Sequence, residues 1–316
     1  MTLNAFSISA PLHGVSPLPH LGVIRAIGAD AANFLHNQLT NDVLLMKEGE
    51  CRLAAFCNAK GRMQASFVVY KRGPEELLLI CRRDLIAQTI RRLSMFVLRA
   101  KAKLSDATQE FQLLGLAGDA VAQALGATPS ASSIAPWQRH ATGSADVLTL
   151  YPALGQSRAF WLAPLDAVAP AGPALGAELW QVGEVLSGIA WVELATFEAF
   201  VPQMLNYESV DGVNFKKGCY PGQEIVARSQ FRGTLKRRAF IVQSSVPMTS
   251  GQEVFSSQDV SQPCGLIAQA AHDGSHHVAI AELQLSATEN SSLHLGSASG
   301  ETLTLLPLPY ALREDI

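Results

Sequence analysis

The first twenty residues contain no lysine or arginine, and they carry three prolines, Pro11, Pro17 and Pro19. A signal peptide needs a basic start and an apolar run, so none is expected. Nor does any stretch hold the roughly eighteen uninterrupted apolar residues of a membrane-spanning helix. The two gaps together lead us to expect a cytoplasmic chain without a membrane partner. No Cys-x-x-Cys pair occurs. The five cysteines, Cys51, Cys57, Cys81, Cys219 and Cys264, are odd in number and scattered. That excludes a disulfide framework and supplies no local thiolate pair for zinc or an iron–sulfur cluster. No bound metal is expected. His272, His276 and His277 lie near a glycine but read as a solvated hairpin tip. The net charge is only −3, so bulk electrostatics select no polyanionic partner.

What is present reads as a globular chain of two or three domains, with 316 residues, 48% of them hydrophobic and 16% charged. Residues 21–27 form a short apolar run that Gly28 ends, as a strand would. Asp30 then stands where an N-cap belongs, before Ala31, Phe34, Leu35 and Leu39 at helical spacing. Thr40-Asn41-Asp42 stops that helix. Residues 52–56, 63–70 and 76–81 read as strands, the first two joined by a turn at Asn58-Ala59-Lys60-Gly61. Asp84 can cap a helix whose face carries Ile86, Ile90, Leu93 and Val97. This is an α+β order, not the strict alternation of a doubly wound sheet. Residues 125–145 read as a loop or variable insert and 164–173 as a connection. Beyond Lys236 short apolar runs such as 239–242 and 278–285 alternate with turn residues, which predicts a small β-barrel or sandwich.

The stretch richest in chemistry runs from Pro202-Gln203 and Asn206 through Lys216-Lys217-Gly218-Cys219-Tyr220-Pro221-Gly222-Gln223-Glu224 to Arg228, Phe231, Arg232 and Gly233. Tyr220-Pro221 favours an extended residue followed by a helix start, so Cys219 should lie just before a helix N-terminus. Free amides there favour a thiolate. Residues 216–238 hold seven basic side chains (Lys216, Lys217, Arg228, Arg232, Lys236, Arg237, Arg238) against Glu224, a local charge of +6. Such a patch suits an anionic ligand. The plainer reading is a buried structural thiol beside a solvated face, and residues alone leave both open.

Lys217 to Glu224 resembles the signature segment of the YgfZ family, relatives of the glycine-cleavage aminomethyltransferase. Phe231-Arg232-Gly233 and Pro202-Gln203-x-x-Asn206 resemble its flanking elements. The run from Phe34 to Asp42 is similar to the family's Phe-Leu-Gln-Gly-Gln-Leu-Thr-Asn-Asp, with His36 where the family has Gln. Lys60-Gly61-Arg62 and Pro263-Cys264-Gly265-Leu266-Ile267 resemble further family elements, so the likeness spans nearly the whole chain. It implies an α+β, aminomethyltransferase-like folate-binding fold, with modules around a central funnel and a C-terminal β-barrel. The implied division is 1–235, two intertwined α+β modules with a discontinuous boundary near 50–115, and 236–316 for the barrel.

The resemblance also implies a function: support of iron–sulfur enzyme assembly or repair, including an enzyme of tRNA modification, with those enzymes as clients. Cys219 would be the functional thiol. Lys217, Gly218, Tyr220, Gly222, Gln223, Glu224, Arg228 and Arg232 would shape the loop and its ligand site, with Arg228, Arg232 and Lys236 pointing to the funnel mouth or to the cleft near Cys219. Two departures stand out. Ala65 and Ser66 occupy the places of an Asp-Asp pair in the aminomethyltransferases, which removes the carboxylate base. Leu186 stands where relatives carry a pterin-binding Glu, and Glu184 would point elsewhere. Tetrahydrofolate binding is therefore expected to be weakened, by on the order of 1.5–3 kcal/mol. The alternatives are a folate-dependent aminomethyl transferase and an RNA-binding module using 216–238 and 82–103; no aromatic-interleaved RNA motif supports the latter.

Overall fold

The structure, a computed structural model, describes residues 8, 10–126, 134–231, 235–289 and 291–313. Strands β1 (Gly14–Pro17) and β2 (Leu21–Ile27) precede helix α1 (Ala31–His36). The hairpin β3 (Cys51–Cys57) and β4 (Met63–Gly73) leads to β5 (Glu76–Arg82), α2 (Ile86–Ser94) and β6 (Lys103–Asp106). A second run holds β7 (Phe111–Ala117), α3 (Asp119–Ala124), β8 (Arg139–Thr142), β9 (Ala145–Ala153) and β10 (Gln156–Pro164). Helices α4 (Ala177–Leu186) and α5 (Gln223–Phe231) follow. The last run is β11 (Arg237–Ser244), β12 (Glu253–Ser256), β13 (Asp259–His272), β14 (His277–Gln284), α6 (Leu285–Thr288), β15 (Leu293–Leu295) and β16 (Thr302–Leu306).

These strands make two five-stranded sheets, ordered β3-β4-β5-β2-β6 and β1-β7-β10-β9-β8, and a closed barrel, β11-β14-β13-β12-β15-β16. The pleat explains why they meet at one centre. Successive side chains of a strand point to opposite faces. Along β4 and β5, Val68, Tyr70, Leu78 and Ile80 enter a central cluster, while Phe67, Val69, Leu77 and Leu79 pack with α1 and α2. Phe160 and Leu162 of β10 enter the same central cluster, as do Val278 and Ile280 of β14. The neighbouring Trp161, Ala279 and Ala281 fill the second sheet's far side and the barrel interior. Both faces of these strands are buried, so their sequences read as apolar runs rather than alternation.

Local corrections are small. Asp30 caps nothing with its side chain; Oδ2 instead accepts the Lys101 N–H at 2.7 Å. Asp84 likewise accepts the Leu194 N–H at 3.4 Å, outside its helix. The expected insert 125–145 holds β8 and the start of β9, and its residues 127–133 lie outside the described ones. At the β13–β14 tip, Asp273 accepts the His276 N–H at 2.8 Å. Among the described residues no group of three or more His, Cys, Asp or Glu is arranged to hold a metal. Among them, too, no helix is long and apolar enough to cross a membrane.

Candidate functional site

Thr40-Asn41-Asp42 does more than end a helix. Thr40 Oγ1 donates to Gly212 O at 2.7 Å and accepts the Ala55 N–H at 2.8 Å. Asn41 Nδ2 donates to Leu53 O and to Asp211 O, at 2.8 and 2.5 Å. The Asn214 N–H reaches Thr40 O at 2.9 Å. The segment leading into the cysteine loop is thus stitched to β3. Behind it, Gln203, fully buried, donates to Val226 O of α5 at 2.7 Å.

The loop itself docks on the β3–β4 turn through two glycines. Gly222 has φ +80°, and a Cβ there would stand 2.4 Å from Asn58 O and 2.6 Å from Gly61 Cα. Gly222→Ala should therefore cost about 1–3 kcal/mol, from backbone strain and displacement of the turn. Gly155→Ala is the control: φ is +72° but nothing lies within 4 Å, so about 1 kcal/mol is expected. Denaturant midpoints compare them; equal losses would mean that the Gly222 contact holds nothing.

From that dock the backbone runs Lys217-Gly218-Cys219-Tyr220 and enters α5. Cys219 is exposed, whereas Cys51, Cys57, Cys81 and Cys264 are buried. Lys217 and Tyr220 are buried. Lys217 Nζ donates to Gly218 O at 3.1 Å and lies 4.5 Å from the Tyr220 ring centroid. Burial lowers the Lys217 ammonium to about 8, against the pull of Asp42 and Cys219. Gln223 Nε2 reaches Lys217 O at 3.5 Å. Glu224 and Arg228 are exposed on α5. Arg232 and Gly233 lie outside the described residues.

Folding neutralises two cations of the +6 patch. Arg237 is paired with Glu282, which accepts the Nη2–H at 2.9 Å, and Arg238 with the buried Glu208. Both acids lie outside the 216–238 window. Lys236 borders a separate hollow with Leu285 and Ser286, away from the centre.

The centre holds an outer cleft and an inner chamber that share Trp137 as a wall. The cleft encloses about 600 Å³ and is bordered by Arg52, Lys216 and Arg313 and by Glu50 and Asp211. Arg52 is committed to Asp42 O at 2.6 Å and Glu50 at 2.7 Å. The cations at this mouth are therefore not Arg228 and Lys236. Trp137 holds a left-handed φ of 63°, and its Nε1 donates to Val210 O at 3.0 Å. The inner chamber is walled by Tyr151, Phe160 and Trp191, with Glu184 and Arg158 as its charges, and has only about 20 Å³ free.

Glu184 overturns one expectation. It is buried, its carboxylate accepts Trp180 Nε1–H at 3.0 Å, and it lies 3.3 Å from His20 Nε2. Burial pushes this carboxyl up, but His20, Arg158 and Arg82 outweigh it and hold it below the ordinary range. Leu186 packs in the central core and does not border the chamber. A helical offset of two residues swings a side chain by about half a turn, and here it is Glu184 that faces inward. Glu184, and not Leu186, is thus the side chain that borders the chamber. Glu193, paired with Arg82 at 3.2 Å, and Glu198, bonded to Gln64, border neither cavity.

Ser66 Oγ accepts the Val192 N–H at 2.9 Å, and Ala65 is fully buried on β4. No carboxylate stands at either position. Arg52, Arg158, Trp137 and Arg313 escaped sequence reasoning. Only Glu184 had a signal, an acid in the apolar second half of α4.

Comparison with known proteins now bears on this arrangement. The family model described as the GCVT N-terminal domain matches residues 13–141. The chain is 29% identical to the tRNA-modifying protein YgfZ of Photorhabdus laumondii, over 98% of this chain and 95% of that protein. It is 31% identical to the tRNA-modifying protein YgfZ of Sodalis glossinidius, over 91% of this chain and 90% of the relative. The chain belongs to the YgfZ family. A crystal structure of the glycine cleavage system aminomethyltransferase T from Bartonella henselae superposes with a TM-score of 0.67. It covers 95% of this chain and 87% of its own at 13% identity, a likeness of fold alone. The chain therefore has an α+β, aminomethyltransferase-like fold closed by a barrel.

Proposed function

We propose that this chain supports the assembly or repair of iron–sulfur enzymes, one of them a tRNA-modifying enzyme, through the Cys219 loop. The observation that carries the reading is the contrast among the thiols. Four are sealed in cores, and one stands exposed on a loop built from the family's signature residues. The relatives' printed name, tRNA-modifying protein, supports the link to tRNA.

Reduced folate fits the centre in kind. Glu184 is an ionised acceptor, Arg158 Nε is buried without a hydrogen-bond partner among the described residues, and aromatic rings form the walls. Lys216 and Arg313 at the cleft suit carboxylates of a folate tail. When bound, such a cofactor supplies a carrier for one-carbon units. The chamber as packed has room for about one water, so Trp137 or Tyr151 must turn aside to admit a fused ring. The aminomethyl transferase reading lacks its proton acceptor at Ala65 and Ser66. The RNA reading loses two cations of its stripe to Glu282 and Glu208.

The test is a gene deletion complemented with wild type, Cys219→Ala or Glu184→Gln. Iron–sulfur enzyme activities and modified nucleosides in tRNA are the readouts. Wild type should restore both and Cys219→Ala neither. Calorimetry should show tetrahydrofolate binding weakened about tenfold or more in Glu184→Gln. Full restoration by Cys219→Ala would overturn the thiol reading.

A further inference from the structure

His36 departs from the family motif it sits in, and its surroundings give it a direction. It ends α1 and is nine-tenths buried. Its Nδ1 lies 3.1 Å from Asp42 Oδ1. Asp42 also accepts the Leu45 N–H at 2.8 Å. Burial pushes Asp42 up, but the Leu45 N–H, His36 and Arg52 outweigh it and keep it ionised. An ionised carboxylate only accepts, so Nδ1 of the neutral ring carries the proton and Nε2 keeps a lone pair.

No hydrogen-bond partner reaches Nε2 among the described residues. It lies 3.7 Å from the point a Cβ on Gly218 would occupy, and so faces the backbone next to Cys219. Burial first, then the Lys217 charge, lowers the His36 pKa, with Asp42 opposing. The ring is therefore neutral at physiological pH. Asp42, Lys217 and Cys219 are the titratable groups around it, and Arg52 acts through Asp42.

We propose that His36 is the proton acceptor for the Cys219 thiol, with Asp42 orienting the ring and Lys217 as countercharge, so that the loop exchanges thiols with small disulfides. The thiol proton passes to His36 Nε2 as Sγ attacks one sulfur of the disulfide. The new S–S bond forms, the old one breaks, and the leaving thiolate takes the proton from His36. Cys219 is oxidised to a mixed disulfide, and one half of the partner leaves reduced as a thiol. This rests on Cys219 being the working thiol and adds the group that activates it.

The test follows the reaction of the purified full chain with the neutral disulfide dithiodipyridine from about pH 5.5 to about pH 9. The wild-type rate should hold nearly level below the usual thiol range and fall only where His36 gains its proton. His36→Gln can still donate to Asp42 but has no base. Its rate should drop about tenfold per unit as pH falls below the ordinary thiol pKa, and be about tenfold slower at neutral pH. Asp42→Asn should steepen the profile the same way and serves if His36→Gln does not fold. Superimposable profiles for wild type and the variants would overturn the proposal and leave the Cys219 reading intact. A fast phase that survives in Cys219→Ser would overturn both.

Discussion

Glu208→Ala is expected to lower the folding free energy by about 3–5 kcal/mol, the cost of leaving a buried charge without its partner. Glu208 has 0% side-chain exposure and Arg238 5%. Among the described residues, the guanidinium without the carboxylate retains Asn206 Oδ1 at 3.5 Å and Arg313 O at 3.2 Å. Neither neutralises it. The pair also joins two parts of the molecule. Glu208 sits in the turn before the cysteine loop, and Arg238 on the first barrel strand, beside Asn206, whose Nδ2 donates to Ala239 O at 2.9 Å. Urea unfolding of wild type and variant measures the effect. A loss under about 1 kcal/mol would show the pair to be screened by water rather than buried.

The second large effect is kinetic. Maleimide should modify Cys219 in the native protein while Cys51, Cys57, Cys81 and Cys264 stay protected by at least about a thousandfold. Burial raises all four thiols above their ordinary pKa, Cys51, Cys57 and Cys81 by the most. Their exposure is 0–5%, so they react only when the fold opens. An opening free energy of about 5–15 kcal/mol implies that factor or more. Peptide mapping by mass spectrometry over a time course reads it. Comparable labelling of any buried cysteine would remove the contrast on which the thiol reading stands.

Much of this was legible in the residues. The strands at 21–27, 63–70 and 76–81 carry enough apolar and β-branched residues to announce themselves, and Tyr220-Pro221 marks the start of α5. The exposed thiol followed from a loop rich in glycine and charge. What failed was charge counted along the chain. A window from 216 to 238 cannot register Glu208 or Glu282, which meet Arg238 and Arg237 only after the barrel strands pair. Expecting Glu184 to point away failed for a related reason. Position in a motif does not set which side of a helix faces a cavity; packing of Trp180 and His20 around Glu184 does. His36 was visible as a departure, but its meaning depended on Gly218, a neighbour 182 positions away.

The order of synthesis gives the loop's anchors a temporal sense. Residues 36–61, on which the Cys219 segment rests, leave the ribosome long before it. Gln203 and Asn206 come shortly before it, yet Asn206 and Glu208 find their partners only when residues 238 and 239 arrive. Domains tend to fold as they emerge, N-terminal parts first. The nascent chain therefore presents this thiol on a tether fastened at one end, and the barrel's first strand fastens the other. The thiol is in this way withheld from its finished geometry until 239 of the 316 residues exist.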